Sequence, residues 1–324
     1  MEVLEDYGLK KRNRTQDGLI KKIGIVGGGT MGQEISVTVS KAGMDVVIVD
    51  ISEERLSIIS QLISDLLDNM INRWGMTPGE KKSIMSRIRL TTDYTELKDS
   101  NIVIECINTE KTISNLEERK NVFRKVEQHV DDQTVIATNA STVLVADLAV
   151  VLKHPERAVG IHFLSPVHSV DIIELNKCVV TNKNTIDIIN KFARMLKKEI
   201  INVTASPGNI STRLIIPLIN EACELLMEGV GTVEDIDKTL MKGFGMQMGP
   251  FALADKIGLD KLLKWMEGLY DEFGDKKYKT SPIIKRLVRS QMYGRRVGEG
   301  FYKYENGRRI SKPGSILNLG REDF

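Results

Sequence analysis

The feature that most constrains this chain lies between residues 22 and 50, where KIGIVG is followed by GGTMG and, after a helical stretch, by DVVIVD. A short apolar run ending in glycines reads as a buried parallel strand. Residues 31–42 suit a helix stopped by Gly43, and residues 45–50 are a second β-branched run. These pieces form one βαβ unit and commit the chain to a parallel sheet with helical crossovers.

Further strands are expected at 101–106 (NIVIEC), 134–138 (TVIAT), 158–163 (AVGIHF) and 170–175 (VDIIEL). Residues 53–88 read as two helical stretches separated by a turn at 74–79. Beyond residue 205 the pattern turns helical, opening with a long helix over 209–228. The expected fold is α/β, a Rossmann-type doubly wound, mostly parallel sheet followed by an all-α C-terminal domain. The division is a polar tail over 1–20, a sheet domain over 21–205 and a helical domain over 206–324, with Pro207-Gly208 at the boundary.

Bulk properties exclude several classes. Lys plus Arg number 46 against 44 Asp plus Glu, for a net charge of +2, so no concentrated basic face for nucleic acid is expected. Cys106, Cys178 and Cys223 stand far apart and outside any CxxC pair, which suggests reduced, buried thiols and no metal site. The first twenty residues lack the apolar stretch of a signal peptide, and no run is long enough to span a membrane. A cytoplasmic protein is expected.

Gly27, Gly29 and Gly32 form G-x-G-x-x-G, with Gly28, Thr30 and Met31 between them. The pattern alone is weak, but here it follows a strand and opens a helix, as phosphate binding requires. Gly27 permits the tight turn, Gly29 lets a pyrophosphate approach the backbone and Gly32 lets helix and strand pack closely. The helix N-terminus at Thr30 and Met31 then faces the phosphate charge. Asp50 ends the second strand eighteen residues past Gly32, where a carboxylate accepts from ribose hydroxyls and repels a 2′-phosphate. NAD is therefore the expected cofactor. The competing reading of Asp50 is a helix cap, a task that Ser52 can equally perform.

Of four histidines, His162 ends the expected strand 158–163, and Glu174 follows twelve residues later near the end of the next. If those strands are neighbours with the same orientation, both side chains meet at one edge of the sheet. An imidazole oriented by a carboxylate is a suitable general base for an alcohol proton. From the residues alone, a satisfied core histidine competes with that reading.

At this point the chain resembles the L-3-hydroxyacyl-CoA dehydrogenase family, particularly its bacterial 3-hydroxybutyryl-CoA branch. The resemblance runs from about Lys21 to Tyr304 through KIGIVGGGTMGQEIS, ATNAST, GIHFLSPVHSVDIIEL, TRLIIPLINEA, GPFALADKIGLD and GRRVGEGFYKY. It implies that His162 is the base, that Glu174 orients it, and that Ser141 bonds the 3-oxygen of an acyl-CoA substrate. Asn139 and Lys120 fall among its cofactor-side positions, with Glu110 a candidate in the loop between Glu105 and Lys120, which is longer than the family pattern. Arg73 falls where a Lys meets CoA, with Lys81 and Lys82 nearby, and Arg296 where a Lys approaches the cofactor. The long apolar faces of the helical half make a homodimer through it the expected assembly.

Two positions depart from the family. Thr212 and Ser165 stand where it has Asn residues near the substrate, and a hydroxyl lacks the paired donor and acceptor of an amide. Both remain candidate substrate contacts. They keep a second reading open, a dehydrogenase of the same fold acting on a free 3-hydroxy sugar acid such as L-gulonate or on a carrier-bound acyl group. A third reading is a non-catalytic NAD-binding structural or regulatory protein, against which Ser141, His162 and Glu174 together argue.

Overall fold

The computed structural model describes residues 20–72, 75–107, 116–305 and 308–313. In chain order the elements are β1 (Lys22–Val26), α1 (Thr30–Lys41), β2 (Asp45–Val49), α2 (Glu53–Asn72), α3 (Pro78–Met85), β3 (Ile88–Thr91), β4 (Ile102–Glu105), α4 (Leu116–His129), β5 (Val135–Thr138), α5 (Val145–Ala149), β6 (Ala158–Phe163), β7 (Ile172–Lys177), α6 (Lys183–Met195) and β8 (Glu199–Thr204). The helical half follows as α7 (Ser211–Glu228), α8 (Val233–Phe244), α9 (Pro250–Ile257), α10 (Leu259–Phe273) and α11 (Pro282–Arg289), and the described chain ends in strands β9 (Tyr302–Glu305) and β10 (Arg308–Pro313).

The first eight strands form one sheet in the order β3-β2-β1-β4-β5-β6-β7-β8, parallel at every pairing except β6 with β7. Both faces are covered, which explains why the central strands read as unbroken apolar runs. Alternate residues enter different cores: Ile23, Ile25, Ile102 and Ile104 pack on one face, Val26, Val103 and Ile136 on the other. Helix α2 buries Leu56, Ile59, Ile63, Leu67 and Met70, a helical spacing that lays one stripe on the first core. The turn before α3 is a capping box, with Thr77 accepting from the Glu80 amide and Glu80 accepting from that of Thr77.

The helical half has a core of its own around Ile216, Phe251, Leu262, Met266 and Ile284. To the expected helices it adds the antiparallel pair β9–β10. Because the sheet order turns back at β1, the C-terminal ends of β1 and β4 border the crevice where open α/β sheets hold ligands.

Candidate active site

The loop after β1 is shaped by what its glycines exclude. Gly27 has φ +102°, and a Cβ there would lie 2.8 Å from the Cys106–Ile107 backbone. At Gly32 a Cβ would sit 2.1 Å from the Gly27 carbonyl oxygen, so α1 packs directly on the turn. A Cβ on Gly29 would meet nothing within 4 Å, leaving that backbone open on its outer side. Gly29 is the N-cap of α1, has no side chain to satisfy the first-turn amides, and no acidic residue follows at Thr30, Met31 or beyond in that turn. An uncapped, acid-free helix start beside an open backbone fits the pyrophosphate of a dinucleotide.

Asp50 stands next to this cradle. Its Oδ2 accepts from the Gly28 amide at 2.7 Å and its Oδ1 from the Ile51 amide at 2.8 Å. The capping task falls to Ser52, whose hydroxyl accepts from the Arg55 amide at 3.3 Å. Asp50 is thus tied to the glycine loop and is not the cap of α2.

The second centre is built by strands that run opposite to one another, which corrects the orientation expected for them. His162 on β6 and Glu174 on β7 are direct partners across an antiparallel pair. Directly paired residues point to the same face, so the two side chains meet. His162 Nδ1 lies 2.8 Å from Glu174 Oε2, with the side chains 8% and 3% exposed. An ionised carboxylate only accepts, so Nδ1 carries the proton and Nε2 presents its lone pair. Nε2 has no partner among the described residues.

Glu174 also receives the start of α7. Its Oε1 accepts from the Ile210 and Ser211 amides at 3.1 and 2.8 Å, and its Oε2 from the Ser211 hydroxyl at 2.7 Å. Burial pushes this carboxyl up, but the bonds from His162 and Ser211 outweigh it and hold the group below the usual carboxylate range. The turn into α7 is possible because Gly208 and Asn209 take positive φ values of +87° and +49°. Asn176, two residues beyond Glu174, donates to Asn209 Oδ1 at 3.0 Å and pins that turn.

The β5 exit completes the edge. Asn139 accepts from the Phe163 amide at 2.9 Å and so ties β5 to the strand end carrying His162. The Ser141 carbonyl accepts from the Gly208 amide at 2.6 Å, while its hydroxyl makes no hydrogen bond among the described residues. Thr212 is 2% exposed and its hydroxyl is buried without a partner. The Ser165 hydroxyl donates to Glu34 Oε1 at 2.9 Å, and Glu34 Oε2 accepts from the Val167 amide at 2.8 Å. The proton of Ser165 is therefore engaged by α1.

Several of the other expected residues are held in ion pairs. Lys120 pairs with Glu117 on its own helix at 2.9 Å, and its neighbour Arg119 is the cation that reaches the strand edge, bonding Glu105 and the Ile107 carbonyl. Glu105 is 1% exposed and also accepts from the Thr138 hydroxyl and the Ile107 amide, both at 2.7 Å. The sequence signal for this network is a carboxylate closing an apolar strand, which calls for a buried partner. Lys81 pairs with Asp68 at 2.7 Å and Arg296 with Asp260 at 2.8 Å. Lys82 is exposed. Arg73 and Glu110 lie outside the described residues.

A dinucleotide cradle and a buried His–Glu pair at the C-terminal edge of one sheet define the class, a nicotinamide-dependent dehydrogenase. Comparison with known proteins gives the family. The 3-hydroxyacyl-CoA dehydrogenase NAD-binding domain matches residues 22–206, and the C-terminal domain of the same enzymes matches residues 208–304. A 3-hydroxybutyryl-CoA dehydrogenase of Clostridioides difficile is 32% identical over 87% of this chain and 99% of its own length. A probable one of Deinococcus radiodurans is 33% identical over 87% of this chain and 100% of its own. The crystal structure of (S)-3-hydroxybutyryl-CoA dehydrogenase from Ralstonia eutropha superposes with a TM-score of 0.78 at 34% identity, covering 89% of this chain and 100% of that one. The chain belongs to the 3-hydroxyacyl-CoA dehydrogenase family and is an NAD-dependent oxidoreductase. No helix among the described residues is long and apolar enough to cross a membrane.

Proposed function

We propose that the protein interconverts a short-chain L-3-hydroxyacyl-CoA, such as 3-hydroxybutyryl-CoA, and its 3-keto form, with His162 as the base. The observation that carries this reading is the 2.8 Å bond from His162 to a carboxylate that already accepts three other hydrogen bonds. NAD, bound in the cradle from Gly27 to Gly32 with Asp50 on its ribose, supplies the hydride acceptor. The chain's own part is the proton. His162 Nε2 takes it from the 3-hydroxyl, Ser141 donates to the 3-oxygen, and Glu174 balances the imidazolium that forms. In the reverse direction the imidazolium returns the proton to the developing alkoxide. Base and orienting acid together are expected to supply about 10²–10⁴ of the rate.

The names of the relatives support the short chain. A second reading, a free 3-hydroxy acid or a carrier-bound acyl group, draws on Thr212, whose hydroxyl is unsatisfied, and on Ser165, whose proton is already given to Glu34. The deciding experiment is NADH oxidation with acetoacetyl-CoA, run beside NADPH and beside free acetoacetate. NADH-dependent turnover of the thioester alone is the expected result. Turnover of the free acid alone overturns the acyl-CoA reading and favours the second.

The same proposal includes a cytoplasmic homodimer joined through the helical half. Its support is the exposed apolar residues there, with Leu214 67% and Phe244 77% accessible, and the three buried free thiols. Light scattering of the double variant Leu214→Asp, Phe244→Asp should give half the mass of the parent; equal masses would remove the helical half from the interface.

A further inference from the structure

Away from the catalytic edge, the helical half carries a cavity of about 420 Å³ lined by Lys279, Thr280, Pro282, Lys285, Arg286, Arg289 and Ser290. None of these residues belongs to the site described above. No carboxylate lines the cavity, and among the described residues none of its four cationic side chains has an ion-pair or hydrogen-bond partner. Some cations of the molecule sit against acids, as in Lys81–Asp68, Arg157–Glu127, Lys277–Asp275 and Arg296–Asp260, whereas these four share one lining with no carboxylate in it. With a net charge of only +2 for the whole chain, four uncompensated cations in one concavity are a local concentration of positive potential.

The frame holding them is fixed. Ile283, Ile284 and Leu287 bury the inner face of α11, which turns Lys285, Arg286 and Arg289 away from the core. The segment before the helix is clamped by Asn220, which donates to the Lys277 and Lys279 carbonyls at 2.9 Å each and accepts from the Ser281 amide at 3.3 Å. Thr280, on the cavity wall, is 6% exposed, and its hydroxyl is buried with no partner. An unsatisfied buried hydroxyl in a native fold calls for a reason, and Thr280 shares the cavity lining with the four cations.

We propose that this concavity is a second anion site that binds the phosphoryl groups of a nucleotide-bearing ligand. Two guanidinium forks and two ammonium groups match a multiply charged phosphate better than a single carboxylate, because forks bind two oxygens at once and ammonium groups act as point charges. The ligand is either the nucleotide handle of the CoA thioester or a free nucleotide, and both present the same phosphates.

The test is calorimetric titration with adenosine 3′,5′-bisphosphate, ATP and inorganic pyrophosphate, on enzyme saturated with NADH so that the dinucleotide cradle is filled. Because binding is read directly, its failure is distinct from failure of the catalytic reading. The wild type is expected to bind at least one of these probes, and Lys285→Ala with Arg289→Ala to weaken it at least about tenfold while NADH affinity is kept. Reversal with Lys285→Glu and Arg289→Glu should abolish binding. The double Ala variant also identifies the source. A raised KM for acetoacetyl-CoA but not for acetoacetyl-pantetheine assigns the site to the substrate's handle, whereas loss of ATP binding with both KM values unchanged assigns it to a free nucleotide. Absence of binding by the wild type, or equal binding by both charge variants, overturns the proposal.

Discussion

Glu174 and Asp255 are both buried carboxylates that accept several hydrogen bonds, yet they sit on opposite sides of the usual carboxylate range. Asp255, in the helical half, accepts from the Phe301 and Tyr302 amides and the Tyr304 hydroxyl at 2.8 to 2.9 Å. Burial nevertheless pushes it up to about 6, helped by the nearby Asp237 carboxylate. Glu174 is lowered, although burial is again the largest single influence. The difference lies in the donors. Glu174 faces an ionisable imidazole and the first amides of α7, where the helix dipole favours negative charge, whereas Asp255 faces neutral donors and a like charge. A carboxylate that must stay ionised beside reacting atoms needs hydrogen bonds that outweigh its burial and no like charge nearby.

The largest expected effect comes from removing the partner that separates the two. His162→Gln keeps the side chain polar but cannot take a proton, so turnover of acetoacetyl-CoA should fall by about 10²–10⁴. NADH affinity, read by fluorescence titration, should be unchanged, because the cradle lies on β1 and α1. Near wild-type turnover would show that His162 is a packed core histidine and that Glu174 is ionised for structural reasons alone.

Next in size is the opposite pH dependence of the two groups. A carboxyl whose folded pKa is raised contributes stability that is full below the unfolded value and is lost as pH rises through the folded one. For Asp255 the window runs from its ordinary 3.8 to about 6 and is worth about 3 kcal/mol. In thermal melts between pH 4 and pH 7 the stability of the wild type relative to Asp255→Asn should therefore fall as pH rises. A difference that stays constant across that range would mean Asp255 does not titrate there, and the contrast with Glu174 would collapse.

Ser211→Ala sharpens the same contrast from the other side. It removes the hydroxyl bond to Glu174 and is expected to cost about 2 kcal/mol where the carboxylate is charged. The lowered pKa of Glu174 reverses the sign: its stabilisation is present above the unfolded value and is lost as pH falls through the folded one. The stability gap between wild type and Ser211→Ala should accordingly be wider at pH 7 than at pH 4. A gap that widens toward acid would assign the Ser211 bond to the protonated form.

These residues also mark how far the sequence could be read. The βαβ unit, the central strands and the cradle were legible because a parallel sheet covered on both faces makes continuous apolar runs and the glycines are forced by backbone contacts. Strands β3 and β8 were not, since they lie at the sheet edges, where IRLT and EIINVT mix polar with apolar residues. The reversal between β6 and β7 has a length signal: eight residues, 164–171, are too few for a parallel crossover, which needs a dozen or more. Ser211 could not be told from its neighbour Thr212 in the sequence. Which of two adjacent polar residues reaches a carboxylate depends on the rotation of the first turn of α7, and that is set by the positive φ of Gly208 and Asn209. Arg119 and Lys120 repeat the lesson on α4.

The smallest expected effect belongs to Thr212 itself, where stability and substrate binding should separate. Its hydroxyl is buried with nothing to bond, so Thr212→Val replaces an unsatisfied polar group by a methyl of the same shape. Such a change is nearly neutral or stabilising, by up to about 1 kcal/mol, because no partner is orphaned. Ser211, one position away, is expected to move in the other direction despite similar chemistry. If the hydroxyl of Thr212 meets the substrate, the valine variant will raise KM for acetoacetyl-CoA while its melting temperature holds or climbs. A falling melting temperature would place a structural partner on that hydroxyl and remove Thr212 from the substrate contacts.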